Sequence, residues 1–277
     1  MILVTGATGN VGSEVVRALL DAGELVRALS RGAPTSTPAG VEVVPGDLDQ
    51  PESLAAALTN VDAVFLLPGF RDMPGVLAQI RKAAVARIVL LSGSSAGDND
   101  ADNAISRYTA RSETAVRESG LPWTFLRPVA FMSNALRWAP ELRTGDVVRE
   151  PFPDARAANI DPCDIAAVAT QALLSPVHEG KIYDLSGPES LLPADRLAML
   201  GATLGRNLRL WALSPDQARA ELTAAMPAEY VDAFFRFYID GALDESTVRP
   251  TVEEITGRPA RTFRQWASVH ADAFAPA

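Results

Sequence analysis

Residues 2–20 read ILVTGATGNVGSEVVRALL, and this stretch decides the fold of the chain. The apolar run Ile2-Leu3-Val4 suits a central parallel strand that is buried on both faces. Valines and leucines then recur at helical spacing between Val11 and Leu20. Three glycines, spaced three residues apart, separate the two patterns. Strand, glycine turn and helix in this order predict a dinucleotide-binding unit.

Each of the three glycines has its own predicted task. Gly6 permits the tight turn, Gly9 permits the close approach of a pyrophosphate, and Gly12 permits close packing of the helix on the strand. The free N–H groups at the helix start then face the phosphates. We therefore expect the cofactor to contact the turn at Gly6, Thr8, Gly9, Asn10, Val11 and Gly12.

Strands and helices alternate along the rest of the first half. Further strands are predicted over 24–30, 41–44, 61–67, 87–92, 123–126 and 181–185, with helices over 51–58, 73–84, 108–119 and 165–174. Beyond residue 190, the pattern is helical apart from a short strand over 208–213. The fold class is therefore α/β, a doubly wound parallel Rossmann sheet with a smaller, mostly helical C-terminal lobe. We assign residues 1–130 to an NADP-binding Rossmann domain and 131–277 to a substrate lobe, with 155–187 returning to the sheet.

Residues that directly follow the strands are candidates for the cofactor site, because ligands bind outside the carboxyl ends of parallel strands. Ser30 and Arg31 follow the second strand, where an arginine suits the 2′-phosphate of NADP and an acid would suit NAD. Asp47 can bond the adenine amine while Leu48 packs on the ring. A surface arginine and a turn-forming aspartate are the alternatives. The predicted cofactor is NADPH rather than NADH, and the predicted contacts are completed by Leu67, Pro68, Ser92 and Pro128.

Eight motifs spread over nearly the whole chain carry a family resemblance. They are VTGATGNVG, ALSRGA, VEVVPGDLDQPESLAAAL, VDAVFLL, SGLPWTFLRP, IDPCDIAAVA, YDLSGPE and TGRPARTF. Together they resemble the NmrA-like branch of the atypical short-chain dehydrogenases, and more closely its bacterial NAD(P)H-dependent quinone- or azo-reductase-like members. The resemblance implies a Rossmann domain and a smaller lobe that closes over the nicotinamide.

Tyr108 is the one catalytic candidate. Typical short-chain dehydrogenases use a Tyr-x-x-x-Lys pair, but Ser112 stands here at the position of the lysine. Without a neighbouring cation, Tyr108 has no evident means of lowering its pKa from about 10, and a partly exposed helix tyrosine is the alternative. Hydride can still reach a quinone or an azo group that is stacked on the nicotinamide, because the proton can come from water. The sequence therefore favours a conjugated acceptor over a simple ketone, whose alkoxide is far more basic.

Predicted contacts to the acceptor come from residues near the ends of the fourth, fifth and sixth strands. They are Phe70, Ser94, Phe131, Asn134 and Trp138. Core packing is the alternative for the apolar members of this set. The acidic pair in IDPCDIAAVA is interpreted as structural, with Asp164 as the N-cap of the helix that follows and Asp161 bracing the turn.

Composition limits the partners of the chain. The 277 residues carry a net charge of −9 without a run of basic residues, which argues against nucleic acid and anionic membranes. One cysteine and two histidines predict neither a disulfide nor a metal site. The absence of a signal segment and of a membrane-length apolar run predicts a cytoplasmic protein. An apolar stripe over 231–239 has three possible roles, which are core packing, contact with the acceptor and the face of a homodimer.

These observations predict an NADPH-dependent oxidoreductase that transfers hydride to a quinone-like, azo-like or other conjugated small molecule. The main alternative is a non-catalytic NADP(H) sensor, since fungal members of the resembled family read the cofactor's redox state and bind a protein partner. A sugar-nucleotide epimerase is the weaker alternative, and the missing Tyr-x-x-x-Lys pair counts against it.

Overall fold

The computed structural model describes residues 1–32, 38–97 and 100–275. Its strands are β1 (Ile2–Val4), β2 (Val26–Ser30), β3 (Val41–Pro45), β4 (Ala63–Leu66), β5 (Arg87–Leu91), β6 (Trp123–Pro128), β7 (Val147–Glu150), β8 (Lys181–Leu185) and β9 (Arg209–Ala212). Its α-helices are α1 (Gly12–Asp21), α2 (Met73–Lys82), α3 (Ala104–Glu118), α4 (Ala139–Leu142), α5 (Pro162–Leu174), α6 (Pro193–Leu204), α7 (Pro215–Ala225), α8 (Ala228–Tyr238), α9 (Thr251–Thr256) and α10 (Phe263–Val269). Across these three ranges, no helix has the length and apolar character that crossing a membrane requires.

Seven strands form one parallel sheet in the order β3-β2-β1-β4-β5-β6-β8. The doubly wound Rossmann sheet predicted from the sequence is confirmed. The order reverses between β1 and β4, and such a switch point is where ligands bind in open α/β sheets. The predicted return of the chain to the sheet is also observed, because β8 pairs with β6 from Thr124↔Lys181 to Pro128↔Leu185.

The two faces of the sheet are covered by different helices, as the alternation of side chains along a strand requires. Ile2 and Val4 of β1 join a buried cluster with apolar residues of α1 and α5. Leu3 faces the other way, into a second cluster that α2 supplies. Both faces of β1 are therefore buried, which explains why its sequence is apolar without interruption.

The second half of the chain builds a separate core. Trp138, Leu200, Phe263 and Trp266 are among its fully buried members. β7 and β9 form a two-stranded parallel sheet beside it. The smaller, mostly helical C-terminal lobe is confirmed, whereas its boundary at residue 130 stays a prediction.

Several elements differ from the sequence prediction. The helix expected over 51–58 is a short 3-10 helix at Pro51–Leu54, and β7 was not predicted. Dense turn-forming residues over 31–40 and 97–104 predict surface loops, and residues 33–37 and 98–99 of these stretches lie outside the described residues.

The acidic pair of α5 is structural, but the predicted cap is wrong. Asp161, not Asp164, is the N-cap, and its Oδ1 accepts a hydrogen bond of 2.9 Å from the Cys163 N–H. Pro162 begins the helix, because its fixed backbone angle and missing N–H suit the first turn. The buried Asp164 carboxylate instead accepts hydrogen bonds of 2.7 Å from the Arg258 side chain and from the Arg261 N–H. Asp164 therefore ties the C-terminal segment to α5.

Candidate cofactor and acceptor site

The glycine turn between β1 and α1 has a backbone that side chains would obstruct. Gly6 has a φ of +63°, and a Cβ at Gly6 would lie 2.4 Å from Cδ1 of Leu67. A Cβ at Gly12 would lie 2.1 Å from the Gly6 carbonyl oxygen. Gly12 therefore lets the turn close on its own backbone, whereas the sequence had assigned it to packing of the helix on the strand. A Cβ at Gly9 would meet one atom of the described residues within 4 Å, the Gly6 oxygen at 3.3 Å.

The start of α1 adds hydrogen-bond donors to this turn. Val11 occupies the N-cap and supplies no side-chain hydrogen bond to the first helical turn. Thr8, Gly9 and Asn10 are exposed in front of it. A helix N-terminus without a side-chain cap, approached by a bare turn, suits a phosphate group. The residues present therefore fit the pyrophosphate of a dinucleotide.

Thr5 fixes the position of the turn. Its hydroxyl donates to the Phe65 carbonyl oxygen and accepts from the Leu67 N–H, both at 3.0 Å. These bonds join the carboxyl ends of β1 and β4 across the switch point. The sequence analysis missed Thr5, although a hydroxyl residue directly at the end of a buried strand was the available signal.

A cavity of about 610 Å³ lies over these strand ends. Its volume is in the range of small-molecule sites in proteins. It is lined by Gly6, Thr8, Leu29, Ser30, Arg31, Gly32, Gly46, Asp47, Leu48, Asp49, Leu67 and Phe70. The structure thus brings together the predicted contacts from the ends of β1, β2, β3 and β4. Phe70, which was predicted to contact the acceptor, lies in the same wall.

The polar residues of this cavity differ in how far they are already engaged. Arg31 is exposed and forms no ion pair with any other residue of the described ranges. The Ser30 hydroxyl donates to the Gly32 carbonyl oxygen at 2.5 Å, so it stabilises its own turn. Asp47 accepts a hydrogen bond of 3.0 Å from the Asp49 N–H, which fixes the loop after β3. Arg31 is therefore the group in this wall that has its donors available for a phosphate.

A buried carboxylate holds the ends of β5 and β6 together. Glu113 of α3 accepts hydrogen bonds from Ser92 at 2.7 Å and from two nitrogens of Arg127 at 2.7 and 2.8 Å. Arg117 adds a further contact at 3.0 Å. Burial favours a raised pKa for Glu113, but the hydrogen bonds and charges of these partners outweigh burial, and the pKa lies below its ordinary value. The Ser92 hydroxyl, a predicted cofactor contact, is thus engaged with Glu113.

Tyr108 packs against the loop that follows β4. Because Asn103 caps α3 with hydrogen bonds to the Ile105 and Ser106 N–H groups, the helix begins at Ala104 rather than at the predicted Tyr108. A Cβ at Gly69 would lie 3.2 Å from the Tyr108 ring. Burial, and to a smaller extent the nearby Tyr230, raises the pKa of Tyr108. This environment does not favour ionisation of the phenol.

Ser112, which stands at the position of the lysine in typical short-chain dehydrogenases, has a structural partner. Its hydroxyl accepts a hydrogen bond of 3.0 Å from the Gly69 N–H and donates to the Tyr108 carbonyl oxygen at 2.8 Å. Ser112 therefore holds the loop after β4 against α3 and supplies no positive charge to Tyr108.

The remaining predicted acceptor contacts divide into two groups. Phe131 is half-buried and Asn134 is exposed, so both stay candidates. Ser94 donates to Glu245 at 2.9 Å. Trp138 is 1% exposed within the core of the C-terminal lobe, and its indole N–H donates to Glu150 at 3.3 Å. The prediction that Trp138 contacts the acceptor is therefore wrong, because its whole ring is enclosed by other side chains.

Glu245 was not predicted, although it connects several elements of the site. Its buried carboxylate accepts hydrogen bonds from Ser94, from the Ala130 N–H at 2.9 Å and from the Tyr238 hydroxyl at 3.1 Å. Ser94 follows β5, Ala130 follows β6, and Tyr238 lies on α8. No motif marks Glu245 in the sequence, since its partners are up to 151 residues away.

A parallel sheet with a bare glycine turn, an uncapped helix start and a large cavity at its switch point defines a dinucleotide-binding protein of the Rossmann class. A family described as NAD(P)H-binding matches residues 6–176, and the chain belongs to this family.

Two relatives match the full length of the chain. It is 46% identical to a (4-alkanoyl-5-oxo-2,5-dihydrofuran-3-yl)methyl phosphate reductase of Streptomyces griseus, with 100% of both chains covered. It is 38% identical to an NAD(P)H azoreductase of Xenophilus azovorans, again with 100% of both covered. The chain is accordingly an NAD(P)H-dependent reductase, and the alternatives of a sensor and of an epimerase are not favoured.

The fold is shared with a solved reductase structure. An NADPH-dependent quinone oxidoreductase from Escherichia coli superposes with a TM-score of 0.78 at 24% identity, covering 97% of this chain and 99% of the other. At this identity, the likeness concerns the fold alone.

Proposed function

We propose that this reductase uses NADPH to reduce a conjugated, electron-poor acceptor, and that the acceptor class includes acylated unsaturated lactones with a phosphomethyl group. The observation that carries the proposal is the cavity in which the glycine turn and Arg31 meet. The full-length relatives named for an azo compound and for a dihydrofuranone phosphate support the acceptor class. Azo groups, quinones and such lactones all have a polarised double bond that accepts hydride.

The bound NADPH would supply the hydride and its two electrons. Gly6, Gly9 and the start of α1 would hold the pyrophosphate, and Arg31 would bind the 2′-phosphate through its planar donor groups. Glu113 and Arg127 would keep the ends of β5 and β6 rigid beside the reacting groups. With a lactone as acceptor, the cofactor would supply hydride to the β-carbon of the double bond, and water would supply the proton at the α-carbon, leaving hydroxide, so atoms and charge balance.

The environment of Tyr108 supports an acceptor that needs no protein acid. Burial and, to a smaller extent, the nearby Tyr230 raise the pKa of its hydroxyl, and neither cause brings a positive charge to it. Ketone reduction would require a proton donor for a strongly basic alkoxide. The proposal includes the cytoplasmic location and the absence of a nucleic-acid partner that the sequence predicts. A homodimer stays a prediction.

A panel of acceptors tests the proposal. Stopped-flow oxidation of NADPH would be followed with a quinone, an azo dye, a phosphomethyl acylbutenolide and a simple ketone. We expect turnover with the conjugated acceptors and none with the ketone. Equal rates with the ketone would contradict the acceptor class, and inert behaviour with the whole panel would favour the sensor alternative.

A further inference from the structure

A second, smaller cavity lies just beyond the carboxyl end of β6. It has a volume of about 50 Å³, and Ala130 is among the residues that line it. Its polar lining includes Asn134, Arg137, Asn159 and Arg196, which no motif of the sequence connects. We refer to it as the Arg196 cavity. A water occupies roughly 10–15 Å³ of such space, so the cavity has room for about three to five waters. One ligand group of the same total volume would also fit.

The Arg196 guanidinium is a buried cation that forms no hydrogen bond with the part of the chain that the structure describes. The residue is 5% exposed, and its Nε is buried without a hydrogen-bond partner there. Within the described ranges its guanidinium forms no ion pair, and it lies 5.6 Å from the centre of the Trp138 ring. Burial, followed by the nearby charge of Arg137, lowers the pKa of Arg196 to about 10, so it stays protonated at neutral pH. A buried charge without a hydrogen-bonding partner is costly, which indicates that a ligand completes the site.

The carboxylates of the same cavity are already engaged with other groups. Glu150 pairs with Arg137 at 2.5 and 2.6 Å. Glu245 accepts hydrogen bonds from three neutral donors, as described above. Both carboxylates favour the charged form of Arg196 without forming a hydrogen bond to it. The donors of Arg196 therefore remain for an acceptor oxygen from outside the chain.

Asn159 adds a second unsatisfied group, which is a hydrogen-bond acceptor, whereas Arg196 offers donors. Its Nδ2 donates to the Ala130 carbonyl oxygen at 3.2 Å, whereas its buried Oδ1 has no partner. A ligand with acceptor oxygens for Arg196 and a hydrogen-bond donor for Asn159 would satisfy both groups. A phosphate monoester in its monoanionic form has both.

We propose that the Arg196 cavity binds the phosphoryl group of the acceptor, with Arg196 as its charged contact and Asn159 as its hydrogen-bond acceptor. This inference rests on the proposed function, in which the acceptor class includes phosphomethyl lactones. The hydride-accepting double bond would then lie on the side of the cavity toward Ala130 and the end of β6. Phosphate recognition would select among acceptors, while the chemistry of the conjugated double bond remains the same.

The test compares a phosphomethyl acylbutenolide with the corresponding alcohol. In the wild type, we expect a higher kcat/KM for the phosphate ester. Arg196→Met should lower the ratio of the two kcat/KM values at least tenfold, mainly through KM of the ester. Arg209→Met, at an exposed arginine of β9, is the matched control and should leave the ratio unchanged.

An unaltered ratio in folded, NADPH-binding Arg196→Met would overturn the inference while the proposed function stands. Failure of the wild type to reduce either compound would instead contradict the lactone part of the proposed function and, with it, the inference.

A measurement on the wild type keeps the test independent of the folding of the variant. Phenyl phosphate should inhibit quinone reduction competitively with respect to the quinone and not with respect to NADPH. Competition with NADPH would place the phosphate near Arg31 and contradict a separate subsite. Absence of inhibition at millimolar phenyl phosphate would contradict it as well.

Discussion

In the proposed site, Arg31 would determine the choice of cofactor, because it is the one cation that the described residues place in the wall of the large cavity. Arg31→Ala would then remove a charged phosphate contact worth about 1.5–3 kcal/mol. At 1.4 kcal/mol per decade, NADPH affinity should fall roughly ten- to a hundredfold, while NADH affinity stays nearly constant. Calorimetry with both cofactors measures this, with Arg209→Ala as the control. Equal losses for both cofactors would show that Arg31 does not contact the 2′-phosphate.

Tyr108 tests whether the reaction needs an acid from the protein. Because the proposed acceptors take their proton from water, Tyr108→Phe should keep quinone turnover within about tenfold of the wild type, since a required general acid would cost on the order of 10²–10⁴-fold. The ring still packs beside Gly69, so only the hydroxyl changes. Steady-state rates would be compared with those of Tyr183→Phe, a tyrosine of β8. A loss of a hundredfold or more with normal NADPH affinity would contradict the acid-free mechanism.

At the scale of elements, substitutions at two glycines of the turn should have different effects, one on nucleotide binding and the other on folding. Gly9→Val puts a branched side chain on the open side of the turn, so nucleotide binding should be lost while the far-UV circular dichroism persists. Gly12→Ala should instead destabilise the fold, because its Cβ would lie 2.1 Å from a backbone oxygen. Gly145→Val, at a position without contacts within 4 Å of an added Cβ, is the control for both. Normal NADPH affinity in Gly9→Val would contradict the assignment of the turn.

The contact between α3 and β6 makes stability depend on pH through Glu113. Its pKa in the folded protein lies below the ordinary value of 4.5, so the unfolded chain binds more protons in the acid range. The stabilisation is complete above about pH 4.5 and is lost as the pH falls through the lower folded pKa.

Glu113→Gln breaks this buried pair and should lower the free energy of unfolding at pH 7 by about 3–5 kcal/mol. Its stability should also fall less steeply on acidification than that of the wild type. Urea unfolding between pH 7 and pH 3.5 measures both effects, and Glu118→Gln at the exposed end of α3 is the control. Parallel pH profiles for wild type and Glu113→Gln would contradict the assigned role.

At the scale of the whole molecule, Glu245 joins the Rossmann sheet to the C-terminal lobe. It contacts groups that follow β5 and β6 and a group on α8. Each hydrogen bond to a charged group contributes about 1.5–3 kcal/mol. Glu245→Gln should therefore lower Tm and raise KM for the acceptor, because the same contacts border the Arg196 cavity. Glu229→Gln, at an exposed residue, is the control, and an unchanged Tm in Glu245→Gln would rule out the joining role.

The sequence determined the sheet, most of the helices around it and most of the residues of the proposed cofactor site. Period-2 and helical patterns are local properties, so they could be predicted residue by residue. Most of the residues that line the large cavity could be predicted as well, because the carboxyl ends of parallel strands meet at one edge of the sheet. Arg31 and Asp47 were therefore located without knowledge of side-chain contacts.

Only the tertiary structure decided which side chains are enclosed and which pairs form. Helical spacing alone does not show that Trp138 is buried while Asn134, four residues before it, is exposed. Asp164 and Arg258 are 94 residues apart, and Ser94 and Glu245 are 151 apart. Such contacts depend on how the lobes pack, and a buried charge such as Arg196 or Glu113 takes its character from neighbours that the chain brings near only on folding.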